Sequence, residues 1–443
     1  MILSVVLLSF AADAASVPTW SKDVAPIVYR SCASCHRPGD IAPFALLSYK
    51  DARPWAKAMR TSVATRKMPP WHADPKIGHF ENDPRLSEAE IATIRSWADG
   101  GAPEGDAKDL PALPKFAEGW KVGQPDLVFD IGKDYVVEAT GPDENTSFTV
   151  EMNLDHDIWV TGVDLQPGNR KVVHHAHVKV ITPVKPVAKS QASIAPELDL
   201  RKLMVREGTE SWLKLDAPVI DDGCSHPGGG DYPGVDREAE AVLASFLPGR
   251  DADRWPEGYA KKIPAGSKLQ FQIHYSRTTG QRETDRTRVG LILAKEPPTF
   301  EVKRRDIHNH YFLIPARDEY HEVTACYTIP EDTKLLSYTP HMHYRGKDMR
   351  VEVTRPGATT PETIISIPNY DFEWQTLYKF STPVDLPKGT KFKIIAHFDN
   401  SANKRGNPNP DEIVRWGSPT KKEMMDGWLE YITPEPSKTS STR

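Results

Sequence analysis

Cysteine is scarce in this chain: four in 443 residues, at Cys32, Cys35, Cys224 and Cys326. A small domain stapled by a dense disulfide framework is thereby excluded. Long apolar runs are also missing. The N-terminal run Ile2 to Phe10 falls short of the roughly 20 apolar residues a spanning helix needs, so no membrane span is expected. Charge of one sign is lacking too. The formal net charge is −5 and no basic stripe stands out, which argues against a nucleic-acid partner. There is no internal repeat.

What is present reads as ordinary globular protein, with 26% charged and 39% hydrophobic residues. The length suggests roughly three compact units. The apolar run ends in Ala11-Ala12-Asp13-Ala14-Ala15, which reads as a signal peptide over residues 1–15 and implies a periplasmic or secreted protein. Residues 17–110 read as helical. Ser87 with Glu90 three residues on forms a capping box, Ile91, Ile94 and Trp97 give an apolar stripe, and Gly100-Gly101 stops it. Residues 111–124 are a Pro-rich, charged linker. From there short alternating segments, among them 158–163, 269–274, 350–353 and 391–396, predict strands. Their total length fits two β-sandwiches, over 125–296 and 297–434, with a disordered tail at 435–443.

Cys32-Ala33-Ser34-Cys35-His36 is a CxxCH pattern. Two thiols at this spacing form thioethers to haem vinyl groups, and the adjacent histidine meets the iron. A zinc half-site would want a second Cys/His pair, and none is spaced for it. Met68, held extended by Pro69 and Pro70, is the expected sixth ligand, with Met59 its rival. Cys224 and Cys326 read as two buried thiols, a disulfide being the alternative.

Histidines cluster in the β region: His174-His175-Ala176-His177, His274-Tyr275, and His341-Met342-His343. A His-x-His pair in a strand puts both rings on one face, where they chelate a transition metal. That geometry pairs His175 with His177, because adjacent His174 and His175 share a face only at a bulge or strand end. His308-Asn309-His310 could chelate a metal by its spacing but reads as surface loop.

Residues 17–110, with the haem motif, Met68-Pro69 and the terminal helix, resemble a cytochrome c domain. Residues 120–433 resemble the copper type II, ascorbate-dependent monooxygenases, the family of peptidylglycine α-hydroxylating monooxygenase and dopamine β-monooxygenase. Val173-His174-His175, Leu269 to Tyr275, His341-Met342-His343 with Gly346-Lys347, and Thr420 to Met424 carry that likeness. It implies a multidomain protein: a small all-α cytochrome c domain followed by two all-β, jelly-roll-like copper subdomains. It implies two copper ions, one on His174, His175 and His274, the other on His341, His343 and Met424, the methionine directly after the acidic residue, with Met425 the alternative thioether. It implies C–H hydroxylation with O2 at the methionine-containing site, with ascorbate or another donor as reductant and a small organic substrate near Gln272. Covalent haem c would then be the entry for electrons. Two departures, Trp428 for the family's tyrosine and Thr339 for its arginine, argue against a peptide glycine substrate. The competing expectation is an exported haem and copper electron-transfer protein without oxygenase activity.

Overall fold

A computed structural model describes residues 16–117, 119–183, 203–207, 210–220, 222–224, 240–247, 250, 252–277 and 279–434. The expected signal peptide and polar tail lie outside them.

Among the described residues the α-helices are Ala25–Ser31, Tyr49–Ala52, Ala56–Ala64 and Glu88–Asp99, with short 3-10 and π turns beside them. Prolines at 38, 43, 54, 69, 70 and 84 cannot donate to a helix ladder, so none of these helices runs far. Glu88–Asp99 starts at the capping box: Ser87 Oγ accepts from Glu90 N, and Glu90 accepts from Ser87 N at 2.8 Å. Its buried face, Ile91, Ile94 and Trp97, joins Trp20, Val24, Val28 and Met59 in one core. The described residues up to 71 and from 84 to 116 form this compact unit, and those of 72–83 and from 117 onward form another.

Among the described residues the β unit has four principal sheets. The first orders strands Leu127–Asp130, Arg288–Leu293, Ile158–Gln166, Tyr259–Ile263 and Phe300–Glu301, with Asp253–Arg254 paired to Ile158–Gln166. The second orders Glu144–Glu151, Lys268–Tyr275, Val173–Ile181 and Glu240–Phe246. These two share one apolar core. Strand alternation explains it. Leu269, Phe271 and Ile273 point inward with Ala176, Val178 and Val180, which leaves Gln270, Gln272, His274, His175 and His177 on the outer face.

The third sheet orders Lys303–His308, Asp426–Ile432, Thr333–His341 and Tyr378–Leu386. The fourth orders Glu362–Ile367, Gly346–Thr354, Lys391–Phe398, His321–Thr328 and Asp222–Gly223. Tyr338 donates to Met349 Sδ at 3.0 Å from the third sheet to the fourth. A Cβ on Gly427 would stand 2.4 Å from Ile394 Cδ1 and 2.6 Å from Tyr338 Oη, so any larger residue would force these side chains to shift.

The expected fold class is corrected. Strand outweighs helix several-fold, and the helices are few and short, so an all-α cytochrome c domain is not evident. Residues 72–83, expected within that segment, belong instead to the β unit: Phe80 bridges to Phe380, and Asn82 Nδ2 donates to Leu377 O at 2.6 Å. The β region is one compact unit of four principal sheets rather than two separate jelly-roll subdomains. Just past the expected break at 296–297, Phe300–Glu301 pairs with Tyr259–Ala260. Cys224 and Cys326 form a disulfide, with Cα atoms 5.0 Å apart, rather than two separate thiols. Among the described residues no helix is long and apolar enough to cross a membrane.

Candidate metal centres

The CxxCH segment follows the helix Ala25–Ser31. Cys35 N and His36 N both donate to Cys32 O, at 3.2 and 2.9 Å, which closes a tight turn. His36 Nδ1 lies 3.1 Å from the Phe44 carbonyl and donates to it. That fixes the tautomer and leaves Nε2 as the lone-pair nitrogen, the arrangement an axial haem ligand needs. Burial holds the His36 pKa below its ordinary value, against the pull of the Phe44 carbonyl. Met59 is buried in the helical core, whereas Met68 is half-buried in the loop after Ala56–Ala64. Of the two methionines, Met68 is the one not committed to that core. These residues fit a c-type haem.

The first histidine cluster lies at the end of the second sheet. His274 pairs with His175, but Tyr275 pairs with Val173, so His174 is bulged out of register. The extra residue re-aims the chain and puts His174 and His175 side by side. Ring centroids are 5.3 Å apart for His174–His175, 5.2 Å for His174–His274 and 4.8 Å for His175–His274. Ligand nitrogens of all three lie within 4.8 Å of one another. His174 Nδ1 and His175 Nδ1 are 3.1 Å apart, a separation at which two lone pairs need a proton or cation between them. Outer nitrogens are held by carboxylates: His174 Nε2 by Glu373 at 3.2 Å, His274 Nε2 by Asp143 at 3.2 Å. His274 Nδ1 is buried without a partner. The donor set and the orphaned nitrogen both fit a metal ion. His177, the spacing-based alternative, bonds Ser245 Oγ at 2.8 Å and is not in the cluster. Gln272 lies opposite His177 on the same outer face, within 3.3 Å of Gln270.

The second cluster ends the strand Thr333–His341. His341 and His343 stand edge to face with centroids 5.2 Å apart. His341 Nδ1 donates to Gln375 Oε1 at 2.8 Å, and His343 Nδ1 to Lys422 O at 3.1 Å. Both therefore keep Nε2 as the lone-pair nitrogen. Burial drops the His341 pKa to about 4 and the His343 pKa to about 3, so both are neutral, as metal ligands must be.

The loop before Met424 is tied to these histidines. Glu423 accepts from His343 N at 2.8 Å and Arg345 N at 2.7 Å. Fully buried Arg345 donates to Asn400 Oδ1 at 2.7 Å and Lys421 O at 2.8 Å. Met424 is half-buried beside this anchor, whereas Met425 is fully buried.

Several contributors were not apparent from sequence. Glu373 and Gln375, two residues apart, each hold a histidine of a different cluster. Trp428 stacks on His341 at 4.8 Å and stands edge-on to His177 at 6.0 Å, with the Arg304 guanidinium 4.8 Å over its ring. The polar-aromatic run Asp371-Phe372-Glu373-Trp374-Gln375 was the available signal for the first pair.

No known protein family matches the chain, and no curated protein matches it. Among solved structures it is similar to the major capsid protein P2 from bacteriophage PM2, with a TM-score of 0.24 and 9% identity over 69% of this chain and 97% of that one. A likeness that slight carries no argument.

Proposed function

We propose that this chain is a copper-dependent monooxygenase that hydroxylates a C–H bond of a small organic molecule with O2, drawing electrons through a covalently held c-type haem. When bound, copper supplies O2 activation and one-electron redox chemistry, and haem carries single electrons. The observation that most supports this reading is the bulge at His174, which sets two Nδ1 atoms 3.1 Å apart beside the orphaned Nδ1 of His274.

The remaining roles follow from the chain's own contacts. Asp143 and Glu373 orient the first imidazoles from outside and raise their basicity. Gln375 and the Lys422 carbonyl keep His341 Nε2 and His343 Nε2 ready to bind. Met424 supplies a soft thioether, which favours Cu(I). Gln272 offers an amide to substrate from the His274 face. Cys32 and Cys35 would hold the haem as thioethers, and His36 and Met68 would serve as ligands to its iron. Ascorbate or another one-electron donor would reduce it. The haem motif and the Cys224–Cys326 bridge favour a periplasmic or secreted location.

Copper analysis of the purified chain tests this. His174→Ala and His341→Ala are each expected to remove one tightly bound copper, and His177→Ala none. Equal copper content in all three would overturn the assignment. Copper loading without any O2-dependent product would point to the electron-transfer alternative instead.

A further inference from the structure

Outside the two clusters, a third group of metal-ligand side chains comes together where the third sheet ends. His308 closes the strand Lys303–His308 and pairs directly with Asp426 on the neighbouring strand. His310 follows two residues later. Ligand atoms of His308, His310 and Asp426 all lie within 4.8 Å of one another. The rings of His308 and His310 are nearly parallel, with centroids 3.9 Å apart.

Two features make this more than a surface pair. Asn309, between the histidines, is fully buried, and its side chain donates to Ile220 O at 2.7 Å and Thr324 O at 3.0 Å. It also accepts from Tyr311 N at 2.8 Å, so the backbone carrying both rings is pinned. Asp426 is only 8% exposed, yet its Oδ1 has no hydrogen-bond partner. Arg304, the cation closest in kind to a counter-charge, is bonded to Asp306 at 2.9 Å. A buried carboxylate oxygen without a donor is costly, and a cation held by it removes that cost.

We propose that His308, His310 and Asp426 form a third metal site, distinct from the two histidine clusters, that takes a divalent transition ion such as Zn2+. Two imidazoles and one carboxylate are a common donor set for zinc or ferrous iron, and they leave coordination open to water or a small ligand. Bonds of about 2.0–2.1 Å put tetrahedral ligand atoms roughly 3.4 Å apart, so the group closes by about 1.4 Å at most. The two stacked rings must splay to aim their nitrogens at one point. Because Asp426 also pairs with His341, the bound ion would sit one strand away from the second cluster.

The test is a Zn2+ titration, against a chelating indicator, of the full chain carrying His174→Ala and His341→Ala, which disables the other clusters. One tight equivalent is expected, and adding His310→Ala should remove it. Absence of that equivalent, or its survival in the triple variant, overturns the site. Asp426→Asn in the otherwise native chain is a second measure. It nearly preserves side-chain size and should lose one zinc equivalent, and full retention would equally refute the proposal. Neither result depends on oxygenase activity, so failure here and failure of the copper assignment are separable.

Discussion

Arg345 shows how much one side chain can carry. It is fully buried, bonds Asn400, Lys421 and Asn409 through its guanidinium, and lies beside Glu423, whose carboxyl burial raises to about 7. Removing one partner of a buried charged network costs about 3–5 kcal/mol, because the other is left uncompensated. Arg345→Leu is therefore expected to lower stability by roughly that amount in denaturant unfolding, and, on the proposed copper assignment, to weaken metal binding at His341 and His343 while leaving binding at His174, His175 and His274 intact. A variant as stable as wild type would contradict the role given to Arg345. At this scale the sequence was partly legible. His-x-His spacing and the CxxCH run announce themselves, because their chemistry needs fixed separations. Asp143, Glu373 and Gln375 do not, because each reaches its histidine from a distant part of the chain.

Among elements, the strands follow from alternation. The segments expected at 158–163 and 391–396 lie within Ile158–Gln166 and Lys391–Phe398. The capping box at Ser87 likewise starts a helix. What alternation cannot show is a bulge, since one extra residue changes the face of a histidine without changing composition. That is why spacing favoured His177, and why the structure brings in His174. Asn309 and His310 do lie in a loop that follows the strand ending at His308, but it is not a surface loop: asparagine is a turn former, yet Asn309 is buried and its side chain is bonded to Ile220 O and Thr324 O. Close sheet packing is testable at Gly427. Its missing Cβ makes room for Ile394 and Tyr338, so Gly427→Ala should overpack this layer and cost about 1–3 kcal/mol. An unchanged melting temperature would show that the layer relaxes freely.

For the whole molecule, burial of opposed titrating groups sets the pH response. His341 and His343 are pushed down to about 4 and 3, and burial also lowers His175, His177 and His274. On acidification the unfolded chain protonates these histidines near 6.5, before the folded chain does. Their contribution is present above that pH and is lost as pH falls. Glu423 and Asp426 act in the other direction. Burial raises them to about 7 and about 8, so their contribution is present at low pH and is lost as pH rises toward those values. These histidines, joined by His36 and His72, which burial also lowers, outnumber the two carboxyls below about pH 6, and above about pH 7 the carboxyls dominate. Metal-free protein should thus be most stable between about pH 6 and 7, in urea unfolding at a series of pH values. A monotonic rise from pH 5 to 8 would contradict this.

The central claim, that haem electrons are spent on O2 at the second histidine cluster, is tested most directly by stopped flow. Copper-loaded chain with its haem fully reduced is mixed with O2, and the haem spectrum is followed. Prompt reoxidation is predicted in the native chain, with a large slowing in Met424→Ala and in copper-free protein. Reoxidation at the same rate in all three would contradict it.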